Sequence, residues 1–309
     1  MNSATRREFL QVTGSALFTA ALLPNAVSAR ESSAAKRPWK KGYMLNTFPP
    51  AKGLSIADKF ALLKAAGFDG VEPNSHLDRE EVLKARDATE LEIASISCGE
   101  HTRLFSHPAR SERQKGVEGL RYALESAKVY GAKSVLVVAG GVSEKNASYA
   151  ENYERTRDAI QQVIPLAEKL GVVMAIENVW NNFLLSPLEA ARYVDEFKSA
   201  AVGWHFDIGN VMNIGFPEDW IRILGKRIQA VHFKEFSRDK MNKQGMRKGF
   251  AVEYLAGDND WPRIMKSLDE ISYKGWAIVE PACGECKQDI SPEKYLENVS
   301  GQLDKILAV

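Results

Sequence analysis

Val172-Val173-Met174-Ala175-Ile176-Glu177 and its successor Val202-Gly203-Trp204-His205-Phe206-Asp207 decide the fold. Both runs are largely apolar, and each ends on a carboxylate. Side chains alternate across a strand. The first run therefore sets Val172, Met174 and Ile176 on one face, and Val173, Ala175 and Glu177 on the other. The second sets Val202, Trp204 and Phe206 against Gly203, His205 and Asp207. Bulky groups on one face and small ones on the other, with an acid at the end, predict strands of a closed barrel. The bulky faces meet helices, and the acids point inward at the C-terminal rim.

The pattern recurs along the chain. Further strands are expected at Gly42–Asn46, Gly70–Glu72, Glu92–Cys98, Ser134–Val138, Ile228–Phe233 and Trp276–Glu280. Helical periods lie between them, at Ile56–Ala66, Tyr149–Leu170, Ser186–Phe197 and Ser291–Val309. Ser186-Pro187 and Ser291-Pro292 place a capping Ser before a first-turn Pro. Gly67, Gly131 and Gly171 stand where helix C-caps should lead into strands. Eight strand–helix units in about 270 residues predict an α/β fold, a single-domain (β/α)8 TIM barrel over 42–309. A doubly wound sheet lacks its Gly-rich phosphate turn here. The longest loop, 234–259, follows the seventh strand and is rich in Lys, Arg and Gly.

The N-terminus is of another kind. Thr5-Arg6-Arg7-Glu8-Phe9-Leu10, an apolar run from Gly14 to Leu23, and Val27-Ser28-Ala29 resemble a twin-arginine signal peptide over 1–29. The apolar run is too short to anchor the chain stably in a bilayer. Polar, Ala/Ser-rich residues then suggest a flexible leader over 30–41. The resemblance implies engagement of the twin-arginine translocation machinery and a periplasmic or otherwise exported product. That route carries folded proteins, which suits an enzyme loaded with metal before export.

Removing 1–29 takes away two Arg and one Glu, so the net charge of +1 becomes zero. A nucleic-acid partner would call for a basic face. Cys98, Cys283 and Cys286 are too few for a disulfide framework. Cys283-Gly-Glu-Cys286 has redox-motif spacing but opens no helix after a strand, so it reads as a pair of loop thiols able to oxidise after export. Homo-oligomerisation is left open.

Period two turns four polar residues into the barrel at the ends of its last four strands: Glu177, Asp207, His232 and Glu280. Three carboxylates and an imidazole held together raise one another's pKa and oppose folding unless a cation joins them. An oxygen-rich set with one nitrogen suits one hard or borderline divalent ion, foremost Mn2+, with Mg2+, Co2+ or Zn2+ as alternatives.

The runs Gly67-Phe-Asp-Gly-Val-Glu-Pro73, Ile176-Glu-Asn-Val-Trp-Asn181, Phe206-Asp-Ile-Gly-Asn210, Val231-His-Phe-Lys-Glu235 and Val279-Glu-Pro281 resemble the xylose isomerase-like TIM barrels. That superfamily includes sugar and sugar-phosphate isomerases and epimerases. The resemblance implies that Glu177, Asp207, His232 and Glu280 ligate the metal. It also implies that Glu177 and Glu280 act as catalytic acid/bases on opposite faces of a sugar, and that Arg238 contacts substrate. Two positions depart from the ketose-epimerase branch. Asn210 stands where that branch has His, and Phe183 replaces its second substrate-binding Glu.

The expected function is a metal-dependent carbohydrate isomerase or epimerase acting on a small sugar or keto-sugar through an ene-diolate. The same enolisation followed by loss of a leaving group would make a lyase or hydratase acting on keto-glycosides. An endonuclease IV-like repair enzyme would need more histidines, and a sugar-binding protein would not need the intact ligand set. Glu72, His101, Trp180, Asn210 and Lys234 are further substrate-contact candidates. Trp180 and Asn181 follow Glu177, where an aromatic face can stack on sugar CH groups. His205, beneath Asp207, reads as a satisfied core histidine or a partner of a ligand.

Overall fold

A computed structural model describes residues 37–50 and 52–309. The twin-arginine segment and residues 30–36 of the expected leader lie outside the described residues. Nine parallel strands run in chain order as β1 (Lys41–Met44), β2 (Gly70–Glu72), β3 (Glu92–Ile93), β4 (Ile96–Ser97), β5 (Ser134–Val137), β6 (Val173–Glu177), β7 (Val202–Asp207), β8 (Ile228–Phe233) and β9 (Ala277–Val279). They lie side by side in the order β3-β2-β1-β9-β8-β7-β6-β5-β4. The two edges, β3 and β4, are the halves of the expected strand Glu92–Cys98. That segment changes partners midway. β3 pairs with β2 and β4 with β5, and the ladder is interrupted at Ala94 and Ser95. The result is a nearly closed barrel of eight strand positions.

Helices surround the barrel: α1 (Ile56–Ala65), α2 (Arg79–Thr89), α3 (Gly99–Thr102), α4 (Arg110–Tyr130), α5 (Tyr149–Gln161), α6 (Ile164–Leu170), α7 (Pro187–Glu196), α8 (Ile208–Val211), α9 (Pro217–Leu224), α10 (Arg238–Gln244), α11 (Trp261–Glu270) and α12 (Pro292–Leu307). Ser186 Oγ and Ser291 Oγ accept from the backbone N–H of Glu189 and Lys294, capping α7 and α12. Gly131 and Gly171 close α4 and α6 in the left-handed region, at φ +82° and +65°. The single helix expected over Tyr149–Leu170 is two helices. Pro165 lacks an amide hydrogen and clashes with the preceding turn, so α5 stops and α6 restarts around it.

The expected flexible leader needs a correction over its last residues, because residues 37–41 are bound to the barrel. Arg37 Nε and Nη2 donate to the two oxygens of Asp269 at 2.9 and 2.7 Å. Trp39 is buried and its Nε1 donates to Tyr273 O at 2.9 Å. Lys41 begins β1.

Most of the core lies between the barrel and its helices, with Trp204, Tyr43, Phe60, Phe105 and Phe206 wholly buried. A second, smaller apolar layer fills the inside of the barrel, built from Ala94, Ala230 and Ile278 with Met44 and Trp276 against it. That interior is full. A Cβ on Gly42 would come within 3.0 Å of Ile278 Cγ1. The polar residues sit above this layer, toward the C-terminal rim. Among the described residues no helix is long and apolar enough to cross a membrane.

Candidate metal centre

Glu177 ends β6, Asp207 ends β7, His232 sits in β8 and Glu280 directly follows β9. Parallel register sets Asp207 beside His232, and His232 beside Ile278. The ligand atoms of the four lie within 4.8 Å of one another. His232 Nδ1 is 3.1 Å from Glu177 Oε1 and 3.0 Å from Glu280 Oε2. Its Nε2 faces the other way, 3.0 Å from Glu72 Oε1.

Asp207 is held from several sides. Its Oδ1 accepts from the Asn210 backbone N–H at 2.8 Å, which starts α8. Asn178 brackets its peptide units. Nδ2 of Asn178 donates to Asp207 O at 2.7 Å, while its Oδ1 accepts from Asp207 N at 3.0 Å and Trp204 Nε1 at 3.1 Å. Lys234 completes the cluster. Its ammonium lies 3.1 Å from Asp207 Oδ2 and 2.5 Å from Glu280 Oε1, and it donates to Asn210 Oδ1 at 3.3 Å.

Charge decides what this arrangement can hold. Glu72, Glu177, Asp207 and Glu280 are four acids, while His232 and Lys234 are two bases. Fully ionised, the cluster is two charges short of neutral. Burial pushes the Asp207 carboxyl up to about 8, against the pull of Lys234. Burial likewise raises Glu177. Burial opposes charge on His232, but Glu72, Glu177 and Glu280 outweigh it and hold its pKa well above the usual imidazole value. Burial also opposes charge on Glu280, yet Lys234 and His232 hold that carboxyl below the ordinary range. Two acids are thus shifted toward their protonated forms at a cluster two positive charges short of neutral. One divalent cation would supply that charge, and three carboxylates with one imidazole are a fitting donor set.

The centre opens into a cavity of about 650 Å³, a volume typical of small-molecule sites. Of the four acids, only Glu177 and Glu280 border it. Asn46, Asn74, Asn146, Asn181 and Asn210 contribute amide groups to its wall. The profile of one fold family matches residues 60–302. The chain belongs to the xylose isomerase-like TIM barrel family.

Individual relatives give the family texture. The chain is 27% identical over 240 residues to inosose dehydratase of Clostridium perfringens strain 13, covering 70% of this chain and 78% of that one. It is 26% identical over 247 residues to L-ribulose-5-phosphate 3-epimerase UlaE of Escherichia coli O1:K1, covering 72% and 81%. The crystal structure of 3-keto-D-glucoside 4-epimerase YcjR from E. coli superposes with a TM-score of 0.70 at 18% identity, over 87% of this chain and 98% of that one. At that identity the superposition shows a shared fold.

The other site candidates separate clearly. Trp180, Asn210 and Lys234 line the cavity. Trp180 Nε1 donates to Asn210 O at 2.9 Å, and its ring packs on Phe250 at 4.8 Å between centroids. Glu72 is wholly buried beneath the cavity and does not border it. His101 turns away onto α4, where a Cβ on Gly119 would lie 2.3 Å from its Cγ. Its neighbours Gly99, Glu100 and Arg103 reach the cavity instead. Arg238 is spent on the scaffold, donating to Met212 O and Gly215 O at 3.0 and 3.1 Å. Of the two roles expected of His205, satisfied core histidine or partner of a ligand, the first does not fit, while its ring packs edge-on against His232. Among the described residues neither of its ring nitrogens has a hydrogen-bond partner, and Nδ1 is 4.0 Å from Glu72 Oε2. Arg247 and Phe250, from the 234–259 segment, line the cavity without any local sequence signal. Asn178 lies inside a quoted motif, but its bracing of a chain segment 29 residues away is visible only in three dimensions.

Proposed function

We propose that the protein is a metal-dependent enzyme that enolises a sugar carbonyl and moves a proton, as an epimerase or isomerase. One observation carries this. Of the acids in the cluster, Glu177 and Glu280 alone border the cavity, and both lie on the Nδ1 side of His232. Glu177, Asp207, His232 and Glu280 would hold the ion, Mn2+ foremost. When bound, a divalent ion supplies Lewis acidity that lowers the pKa of a carbon beside a carbonyl. Glu177 or Glu280 then removes that proton, and the other returns one to the opposite face or the neighbouring carbon. Lys234 offers a cation to an oxygen that gains negative charge in this step. The amides of the cavity wall suit neutral hydroxyl groups, each offering a donor and an acceptor. Trp180 lines the same space.

Elimination is the second reading, favoured by the similarity to an inosose dehydratase. The first proton abstraction is shared, and a hydroxyl or glycosidic oxygen beyond the enolised carbon leaves. Incubating the metal-loaded chain in D2O with free ketoses, keto-glycosides and keto-inositols tests both. Deuterium beside the carbonyl with retained connectivity supports epimerisation or isomerisation. Loss of water or aglycone supports elimination. Turnover of none of them, with a full metal complement, would count against an enzyme of this type. Export through the twin-arginine route is part of the same proposal, resting on Arg6, Arg7 and the Val27-Ser28-Ala29 run. A disulfide between Cys283 and Cys286 suits an oxidising compartment.

A further inference from the structure

Glu72 is the one acid of the cluster outside the ligand set and outside the cavity wall. It ends β2, in register with Met44 of β1, and its side chain crosses the barrel interior to reach β8. No part of it is exposed. Its Oε1 lies 3.0 Å from His232 Nε2, and its Oε2 has no hydrogen-bond partner among the described residues. His205 does not serve it, being 4.0 Å away, and packs its ring edge-on against His232 at 4.0 Å between centroids.

A buried carboxylate with one partner is a poor choice for stability alone. An apolar side chain of similar size would fill the space without desolvating a charge. The chemistry of His232 explains the acid. Its ring divides two environments, with Nδ1 among the ligand carboxylates and Nε2 on the closed side of the barrel. To ligate a cation through Nδ1, the ring must carry its proton on Nε2. That N–H is beyond reach of solvent and needs an acceptor. Glu72 Oε1 is the acceptor present.

We infer that Glu72 is a positioning residue for the metal centre: its carboxylate accepts from His232 Nε2, fixing the ring and its tautomer so that Nδ1 presents a lone pair to the ion. This rests on the metal centre proposed above. Carboxylate–histidine–metal chains of this kind typically govern about 10–100-fold of metal affinity. Glu72 thereby acts from beneath the centre without touching substrate.

The test uses the full mature chain. The first measurement is the 15N spectrum of its histidine rings with Zn2+ bound, in a protein with only five histidines. His232 is expected to carry its proton on Nε2. The second is Mn2+ affinity in Glu72→Leu and Glu72→Gln. Glu72→Leu should bind about 10–100-fold more weakly than the parent, and Glu72→Gln, whose amide oxygen still accepts, should recover part of that loss. A purely structural role would not move the tautomer, nor be relieved by Gln. A Zn2+-loaded parent protonated at Nδ1 overturns the inference, as does Glu72→Leu binding Mn2+ as tightly as the parent. Binding of two Zn2+ per chain, one of them lost in His205→Ala, overturns it in favour of an ion shared by Glu72, His205 and His232. The ring spectrum decides the matter even if no Glu72 variant folds. A parent chain that binds no ion sinks the metal centre itself. Tight binding with the wrong tautomer sinks only the role of Glu72.

Discussion

Lys234 reaches Glu280 at 2.5 Å, joining the rims of β8 and β9 by an ion pair that is almost wholly buried. The same ammonium lies 3.1 Å from Asp207. It therefore touches two of the four candidate ligands and faces the cavity as well. A cation so placed opposes a second cation electrostatically, yet it is well placed to meet an oxygen that gains charge.

The first prediction separates those two effects. Lys234→Met keeps the stem and removes the charge. It is expected to bind Mn2+ at least as tightly as the parent, because one positive charge has left the cluster. Turnover should fall by about 10²–10³, the loss typical of one charge-stabilising donor. Calorimetric titration with Mn2+ and a turnover assay check the pair. Weaker metal binding in this variant would mean that Lys234 is chiefly a scaffold for the ligands.

The second prediction concerns pH. Asp207, Glu177 and His232 each have a folded pKa above the ordinary value. A group of that kind contributes stability that is fully present below its unfolded pKa and is lost as pH rises through its folded one. For Asp207 the window runs from its ordinary 3.8 to about 8. Glu280 is shifted the other way, so its contribution is lost only as pH falls below the ordinary carboxylate range. The metal-free chain should therefore lose stability between about pH 5 and pH 8, and Mn2+ should raise Tm most at the upper end. Equal Tm gains at both ends would contradict the proton–metal competition.

A third prediction tests the bracing of Asp207. Asn178→Ala strands the Trp204 indole N–H and the Asp207 backbone groups in a buried place. Each unsatisfied group costs roughly 1–3 kcal/mol. Urea unfolding of the metal-free variant should show a loss of about 3 kcal/mol or more. A change below about 1 kcal/mol would show that other donors replace Asn178.

Much of this centre was legible because period two is a strong rule. It turns Glu177, Asp207, His232 and Glu280 inward, and contiguous strands then bring them together. Facing is not depth, however. Glu72 also points inward, but only the three-dimensional barrel shows that it meets His232 from below, 160 residues away in sequence. That Arg247 reaches the cavity and Arg238 does not depended on how one segment folds. With α10 starting at Arg238, that side chain turns to the carbonyls of Met212 and Gly215, and the next turn brings Arg247 to the cavity. His101 was lost to a short helix, α3, that rotates it onto Gly119. Pro165 was the one readable signal passed over in the helical pattern.

The last prediction concerns the two glutamates at the cavity. Glu→Gln keeps size and some capacity to bind metal but removes the base. At saturating Mn2+, if the reaction is an epimerisation, Glu177→Gln and Glu280→Gln should each slow net turnover by about 10²–10⁴. The two losses need not be alike for every readout. An epimerase needs both residues for net turnover, because one removes the proton and the other returns it to the opposite face. A single variant can still exchange that proton on one face, since the remaining glutamate removes and returns it there. An eliminating enzyme needs one base, so one variant should stop it and the other should slow it less. The pattern of exchange against turnover in the two single variants therefore separates the two reactions. The double variant tests what they share. If it bound Mn2+ and turned substrate over at the parent rate, neither glutamate would be the base, and enolisation at this centre would have to be abandoned.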